Sequence, residues 1–199
     1  MIQQIKFLKL FEKLKEETKL FHSNVEKVLV KELKKLSTIE EYYSLLKTLL
    51  NFYETVEMRL QELIDEEILI DIKKRRHIER LKLDLEFYDE PYRFVENPFS
   101  ARINSVSYAI GVLYVIEGST LGGQIISEML KKQLSLTEEQ SILNYFGSYG
   151  DQTYEMWANL KNNLEHTSIE INENEVIAGA KDTFSELQIW LLEHQGLGK

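Results

Sequence analysis

The segment 111–126 constrains the fold more than any other part of the chain. Its apolar residues recur at helical spacing without a proline, yet it carries four glycines: Gly111, Gly118, Gly122 and Gly123. Each glycine inside a helix costs about 1 kcal/mol relative to alanine. At roughly 100° per residue, all but Gly123 share one narrow helix face with Ser107. Because that face carries almost no side chains, either another helix or a flat ligand can lie against its backbone.

The composition predicts an all-α protein. Its 199 residues include only two prolines and nine glycines, and long runs are rich in Leu, Lys and Glu. This pattern is typical of helices joined by short connections. We found no internal repeat, low-complexity tract or linker. The sequence therefore predicts one domain over residues 1–199, folded as a bundle of seven to eight helices.

Periodicity and capping signals give expected bounds for the first half of the chain. A first helix is predicted over residues 2–35, and Ser37 with Glu40 forms a capping box for a second helix that runs to about Ile64. A third helix is expected from about Glu66 to Tyr88. The prolines at 91 and 98 then bracket an irregular connection.

The second half begins with the glycine-bearing helix, predicted over about 101–133 with a kink near 118–123. Thr137-Glu-Glu-Gln140 predicts a short helix that ends near Phe146, and residues 147–150 predict a break. Asp151 is expected to cap a helix through about Glu165. After a loop over 167–172, Asn172 should cap a last helix that ends before Gly196.

Charge and cysteine content exclude several classes of function. The formal net charge of −9 disfavours nucleic acid as a partner, because phosphate neutralisation needs a basic face. The basic run Lys73–Arg76 is short, and we expect it to be a solvated helix face. The absence of cysteine excludes disulfides and thiolate metal sites and is compatible with the cytoplasm. The start lacks the apolar core of a signal peptide, and no apolar run approaches the ~18 residues of a membrane span.

His22 is the histidine with the strongest case for binding a ligand. It lies in the middle of the first helix, seven residues after Lys15 and four before Glu26, so the three share one side within about 40°. Metal-binding histidines usually have their second ring nitrogen held by a carboxylate or carbonyl, and Glu26 is placed to do this. Lys15 could reach an anionic group of the same ligand. The alternative is a satisfied core or boundary histidine.

The other three histidines have structural explanations. His77 follows the basic run and is expected at the surface, His166 ends a predicted helix, and His194 lies in the last turn of the final helix, where a cation suits the helix dipole. Rival sites lack their signatures: a di-iron site needs paired Glu-x-x-His motifs, a P-loop needs a lysine that 118–123 does not contain, and no nucleophile elbow occurs.

Three segments resemble known motifs of one family. Residues 113–126, Leu-Tyr-Val-Ile-Glu-Gly-Ser-Thr-Leu-Gly-Gly-Gln-Ile-Ile, resemble the distal-helix motif of bacterial heme oxygenases. Residues 14–22, with Glu26, resemble the proximal-helix motif, and Phe-Gly-Ser-Tyr-Gly at 146–150 through Trp157 is similar to a later family pattern. Their order, separation and the total length match over nearly the whole chain.

The resemblance implies an all-α fold with heme sandwiched between a proximal helix and a kinked distal helix. His22 would ligate the heme iron, with Glu26 on its other ring nitrogen. The remaining implied site residues are the flexible glycines over the heme face, the propionate contacts and an aromatic that lines the pocket: Gly118, Gly122 and Gly123; Lys15 and Tyr114; and Phe184. Gly111, farther along the same face, is expected to serve helix packing only.

One position departs from part of the family. Mammalian members carry an aspartate after the first distal glycine, where it organises water, whereas this chain has Ser119, as related bacterial members often do. We expect water to be held by Ser119 and by backbone carbonyls near Gly118. The proton-delivery network is therefore expected to differ from the mammalian one.

The implied activity is the cleavage of heme to biliverdin, Fe²⁺ and CO in the cytoplasm of a bacterium. Heme would be both substrate and cofactor, with O₂ and an external reductant, supplied by a reductase, ferredoxin or similar donor, and with a downstream biliverdin acceptor as a further partner. Neither nucleic acid nor a membrane is expected as a partner. Two alternatives stay open: a non-enzymatic heme-binding or storage protein on the same fold, and a helical interaction protein in which the glycines only pack helices.

Overall fold

The computed structural model describes residues 2–75, 77–86, 93–137, 142–167 and 169–194. Over these residues the chain forms seven α-helices and no strand, which confirms the predicted all-α bundle. The helices are α1 Ile2–Lys35, α2 Ile39–Leu63, α3 His77–Leu85, α4 Val106–Gln133, α5 Asn144–Gly147, α6 Thr153–His166 and α7 Glu173–Glu193. Short 3₁₀ turns occur at Ile72–Lys74, Pro98–Arg102 and Gly150–Gln152.

The glycine-bearing helix α4 is central and packs against α7, α5, α6 and α2. Its crossing with α7 is a close approach of two backbones. A Cβ on Gly111 would overlap the carbonyl oxygen of Val176, and a Cβ on Gly179 would overlap that of Tyr108. Ser107 also faces α7, where its hydroxyl accepts the N–H of Asn172 at 3.0 Å. The first half of the glycine face is therefore a helix-packing surface, as expected for Gly111.

By length and composition alone, α4 is long and apolar enough to cross a membrane, with a mean hydropathy of 1.4 in its most apolar window. The expectation that no segment approaches a membrane span is wrong by this measure. However, 56% of that window is buried inside the protein. Glu117 also lies in this helix with 1% exposure. These features identify α4 as a core helix.

The caps of α2 and α7 were predicted with different success. The N-cap of α2 is Thr38 rather than Ser37, since the Thr38 hydroxyl accepts the N–H of Glu41 at 3.2 Å. The Glu41 carboxylate in turn accepts the backbone N–H of Ser37 at 2.7 Å. The capping signal therefore lies one residue later than predicted. For α7, the prediction is confirmed: Asn172 accepts the N–H of Asn174 at 3.1 Å.

The predicted third helix is wrong over residues 66–75, none of which is α-helical. The chain instead turns after Asp65, whose carboxylate accepts the N–H groups of Glu67 and Ile68 at 3.0 and 3.1 Å. The helix α3 begins only at His77, where the buried Glu57 carboxylate of α2 accepts the N–H of His77 at 3.0 Å. A distant carboxylate therefore sets this helix start. The predicted end near Tyr88, and Pro91, lie outside the described residues.

The start of α4 was also misplaced. The 3₁₀ turn Pro98–Arg102 comes first, and Ser105 caps the helix by accepting the N–H of Tyr108 at 3.1 Å. The helix continues as α-helix through Gly118 and Gly123. The kink expected there stays a prediction.

Asp151 does not cap α6. It lies inside the 3₁₀ turn Gly150–Gln152, and Thr153 opens the helix with its hydroxyl donated to the Gly150 carbonyl at 2.7 Å. The predicted break before it is confirmed by Ser148, which has a φ of 48°.

The capping box predicted for the short helix α5 involves residues 138–140, outside the described residues. The observed start of α5 is held by Asp84 of α3, which accepts the N–H groups of Asn144 and Tyr145 at 2.8 and 2.9 Å.

Candidate active site

One side of α1 presents His22 to solvent. The side chain of His22 is 60% exposed, and its Nδ1 lies 4.0 Å from a carboxylate oxygen of Glu26, which is too long for a hydrogen bond. The His22 ring meets the ring of Phe184 in α7 edge to face at 5.6 Å. The structure therefore brings three of the predicted site residues together, one of them from a helix far along the chain.

A second group lies farther towards the start of α1. The ring of Tyr114 in α4 is 5.7 Å from that of Phe11 and 5.6 Å from that of Trp157 in α6. Phe11 and Trp157 complete the triangle at 5.9 Å. Burial raises the pKa of Tyr114, and a hydrogen bond with Thr18 of α1 opposes part of that rise. Tyr114 is thus a neutral hydrogen-bond donor at physiological pH.

Four residues connect the two groups along α1. Phe11, Lys15, Thr18 and His22 recur at spacings of three and four and so form one stripe. Phe11 precedes His22 by eleven residues, about three helical turns. Lys15 is exposed on this stripe between the aromatic cluster and His22. Phe11 was not among the predicted site residues, although its spacing from His22 could have assigned it to the site.

The glycines predicted over the ligand point in different directions. A Cβ on Gly118 would lie 3.7 Å from Cη2 of Trp157, in ordinary van der Waals contact. Among the described residues, a Cβ on Gly122 would meet no atom within 4 Å, whereas one on Gly123 would overlap the carbonyl oxygen of Phe146 in α5. Gly122 therefore borders open space, while Gly123 lets α5 approach α4.

Ser119 is exposed and turned towards its own helix. Its hydroxyl donates to the carbonyl of Ile116 at 2.7 Å. The neighbouring Thr120 is buried and donates to the carbonyl of Glu117 at 2.6 Å. Hydroxyls bound in this way still have lone pairs that can accept a hydrogen bond from water.

A buried charged network lies directly before Gly118 in α4. The guanidinium of Arg75 binds both carboxylate oxygens of Asp71 at 2.8 Å and also donates to Glu117. Glu117 accepts from the Nε2–H of His77 at 2.8 Å and from the hydroxyl of Tyr149 at 3.0 Å. The Arg75 side chain is fully buried, and His77 is 4% exposed.

Two sequence-based predictions are wrong at this network. Arg75 does not belong to a solvated helix face, and His77 is not a surface residue. Both side chains are buried because they hydrogen-bond to the carboxylate of Glu117, which lies about forty residues away along the chain. The sequence signal for this pairing was the single acid inside the apolar first part of α4, since a buried carboxylate requires a partner.

The pKa values of the network follow from its charges. Burial acts to raise the pKa of Glu117, but the hydrogen bond and charge of His77 and the charge of Arg75 outweigh burial, so the pKa is lowered. For Arg75, burial acts to lower the pKa, yet Asp71 and Glu117 raise it. Burial and the Glu117 charge raise the pKa of the Tyr149 hydroxyl. The network therefore keeps the Glu117 carboxylate and the Arg75 guanidinium in their charged forms.

The two remaining histidines lie near the ends of their helices. His166 is the last residue of α6, as predicted, with Nδ1 2.7 Å from the carbonyl of Asn162. His194 directly follows α7 and stacks on the Trp190 ring, with centroids 4.0 Å apart.

Comparisons with known proteins identify similar chains. The family model described as heme oxygenase matches residues 8–193. No curated protein matches the sequence significantly.

Solved structures share the fold. A heme oxygenase from Leptospira interrogans is 19% identical, with a TM-score of 0.76 over 92% of this chain and 98% of its own. The NO- and CO-bound heme oxygenase from Neisseria meningitidis is 23% identical, with a TM-score of 0.77 over 94% and 92%. Heme oxygenase-1 from the cyanobacterium Synechocystis, in complex with heme, is 20% identical, with a TM-score of 0.74 over 94% and 92%.

Proposed function

The chain belongs to the heme oxygenase family, and from this premise we propose that it cleaves heme to biliverdin, with release of Fe²⁺ and CO. The observation that carries the proposal is the position of one accessible histidine, His22, on α1. This helix shares its neighbours α6 and α7 with the glycine-bearing helix α4. Heme would lie between α1 and α4.

His22 is the histidine best suited to bind the heme iron. Of the four histidines, His77 is buried against Glu117, His194 stacks on Trp190, and His166 ends a helix with Nδ1 on its own backbone. In His22, Glu26 lies beside Nδ1, which leaves Nε2 for the iron. If this carboxylate closes to hydrogen-bonding distance, it would favour the tautomer with the proton on Nδ1 and orient the ring. Phe184 restricts the ring further from the α7 side.

The α4 backbone would form the opposite face of the site. Gly122 borders open space, so a flat ligand could approach the helix without meeting a side chain. When bound, heme supplies the iron on which O₂ is reduced and is itself the molecule that is cut. Water held by Ser119 and by a carbonyl near Gly118 would donate protons on this side. We assign Gly123 a supporting role, because the missing side chain lets α5 pack closely against α4.

Two residues are suited to the propionates of heme. Lys15 is an exposed cation on the His22 stripe, and Tyr114 keeps its proton and can donate to a carboxylate. The remaining elements of the proposal are a cytoplasmic location, an external donor such as a reductase or ferredoxin, and a biliverdin acceptor.

An aerobic turnover experiment tests this function. Hemin is titrated into the protein, and a reductant is then added under air while the absorption spectrum is recorded. We expect loss of the Soret band together with formation of a bile pigment. A Soret band that persists would indicate the alternative of heme storage, and failure to bind hemin would indicate an interaction protein.

The His22→Ala variant shows whether the proposed ligand is responsible. It is expected to alter the heme spectrum and abolish pigment formation. His166→Ala is the matched control, because His166 is also an exposed histidine of a helix. Equal turnover by the His22→Ala variant and the wild type would rule out His22 as the iron ligand.

A further inference from the structure

Arg75 connects three separate parts of the fold. Its guanidinium binds Asp71 in its own turn, Glu117 in α4 and the backbone carbonyl of Met156 in α6, the last at 2.8 Å. The side chain is fully buried. A single planar group therefore fixes where α4 and α6 lie relative to one another at this level of the bundle.

Glu117 in α4 and Met156 in α6 are the two acceptors that Arg75 links across the bundle. The residues that directly follow them in the chain face each other. Gly118 comes after Glu117, and Trp157 comes after Met156. Cη2 of Trp157 lies 3.7 Å from where a Cβ of Gly118 would be. Trp157 also contacts Tyr114 and Phe11, so its ring is part of the aromatic cluster beside the site. Any change in the separation of the two acceptors is passed directly to Gly118 and Trp157.

We propose that Arg75 is a positioning residue that sets the separation between Gly118 in α4 and Trp157 in α6. This separation would determine the geometry of the oxygen-side wall, by which we mean the α4 backbone at 118–123 together with Trp157. The assignment of that wall rests on the proposed function. Arg75 does not itself reach the reacting atoms. It acts through the backbone of α4 and α6.

The chemistry of the network favours arginine at this position. Arg75 uses three different nitrogens, with Nη2 shared between Asp71 and Met156. A lysine carries its donors on one atom and cannot span these acceptors at once. Glu117 is also fixed from its other side by His77 and Tyr149. Movement at Glu117 is thus restricted, and loss of the guanidinium should mainly release α6.

A fluorine label on tryptophan provides a direct test in the ligand-free protein. The chain has two tryptophans, Trp157 and Trp190, so 5-fluorotryptophan gives two ¹⁹F NMR signals, which Trp157→Phe assigns. In Arg75→Lys we expect the Trp157 signal to shift while the Trp190 signal stays unchanged. Arg102→Lys is the matched control, since Arg102 also bridges two carboxylates, those of Asp182 and Glu186 in α7. It should leave the Trp157 signal in place.

A purely structural role would lower the unfolding midpoint of Arg75→Lys without moving the Trp157 signal, and this result would overturn the proposal. So would an equal shift in Arg102→Lys. If Arg75→Lys does not fold, the triple variant Asp71→Asn, Arg75→Met, Glu117→Leu removes the bridge without leaving either carboxylate partner of Arg75 as an unpaired buried charge. The same Trp157 shift is expected there, and its absence counts against the proposal.

The heme-loaded protein gives a second readout. In Arg75→Lys the heme Kd should stay within about threefold of the wild type, whereas the mixture of biliverdin isomers should change, because the oxygen-side wall has moved. An unchanged isomer mixture would contradict the link between Arg75 and the wall. If the wild type forms no biliverdin, the proposed function fails, but the Trp157 signal still decides whether Arg75 positions α6.

Discussion

His22 and His77 are both helical histidines with a carboxylate partner, yet their surroundings give them opposite uses. His22 is 60% exposed, and its carboxylate lies 4.0 Å away, so neither ring nitrogen is committed to a hydrogen bond with Glu26. His77 is buried and donates to Glu117 at 2.8 Å, inside a network that also contains Arg75. The accessible histidine can accept a ligand, whereas the buried one stabilises the fold.

The exposure of Glu26 limits how strongly it can act on His22. Partners of metal-bound histidines typically change metal affinity by 10–100-fold when mutated. Because Glu26 is 61% exposed and not hydrogen-bonded to His22, solvent screens its charge. We expect Glu26→Gln to weaken heme binding by less than about tenfold. Hemin titration of this variant beside Glu12→Gln, an exposed glutamate earlier in α1, measures the effect. A loss as large as that of His22→Ala would show that the carboxylate moves onto His22 when heme binds.

Glu117 should make stability depend on acid pH. Its pKa is lowered from 4.5 in the folded protein, so the unfolded chain binds a proton more readily just below that value. This contribution to stability is therefore complete above pH 4.5 and is lost as the pH falls through the lowered folded pKa. Glu117→Gln does not titrate, so its free energy of unfolding should fall less steeply on acidification than that of the wild type.

At neutral pH the same variant should be destabilised by roughly 3–5 kcal/mol, because Arg75 loses a buried charge partner. Urea unfolding of both proteins at a series of pH values measures both effects. Parallel pH profiles would mean that other carboxylates dominate the acid response. Glu57 and Asp84 are not candidates for that role, since burial raises the pKa of each.

At the level of single elements, α4 shows how one type of residue serves different purposes. Gly111 allows the crossing with α7, Gly123 allows α5 to approach, Gly118 meets Trp157, and Gly122 borders open space. These glycines lower the intrinsic stability of the 28-residue helix, but they allow neighbouring helices to pack closely at some positions and leave the backbone accessible at another.

Gly122 and Gly123 form a matched pair for testing this division. Alanine should raise the helix propensity at either position by up to about 1 kcal/mol. At Gly122 no atom in the described part of the chain opposes the new methyl group, so Gly122→Ala should raise the free energy of unfolding. At Gly123 the methyl group would overlap the Phe146 carbonyl, so Gly123→Ala should lower it.

Chemical denaturation of the two variants gives the sign of each effect, and hemin titration adds a functional comparison. If heme approaches the open face of α4, Gly122→Ala should bind heme more weakly despite its greater stability. Unchanged heme binding by this variant would place the ligand elsewhere on α4. Equal stability changes for both variants would contradict the packing role of Gly123.

The pattern of successes and errors in predicting these elements has a physical cause. Local signals were sufficient for α1, which follows the helical periodicity of its own apolar residues, and for the Asn172 cap, whose side chain bonds an N–H only two residues later. They failed at His77 and at Asn144, because the capping carboxylates Glu57 and Asp84 come from other helices. When a residue from another helix caps a helix start, the sequence around that start contains no capping signal.

The same limit applies to the candidate site. His22 and Glu26 could be paired from spacing alone, because they lie one helical turn apart. The meeting of Phe11, Tyr114 and Trp157 joins three helices and could not be read from periodicity. The directions of the α4 glycines likewise depend on which neighbours surround the helix.

At the scale of the whole molecule, the proposed site lies between α4, whose charged residue Glu117 is buried, and α1, whose site residues Lys15 and His22 are exposed. The α4 side is anchored by the network of Arg75, Glu117 and His77, and its helix packs against four others. The α1 side carries exposed Lys15 and His22 and packs chiefly against α6 and α7. Two exposed ion pairs, Lys13–Glu173 and Lys181–Glu17, add little to the attachment of α1 to α7.

Heme should therefore strengthen the attachment of α1 more than any other part of the protein. A ligand that bridges α1 and α4 stabilises the folded state by mass action, by roughly 2.7 kcal/mol at a hundredfold excess over Kd. Hydrogen exchange with and without hemin should show added protection around His22 and around 118–123. In contrast, α3 packs against α2 and α5 and should change little. The His22→Ala variant should lose the added protection in α1. Uniform slowing across all helices would contradict a site between α1 and α4, because it would indicate a general rise in stability without a local bridge.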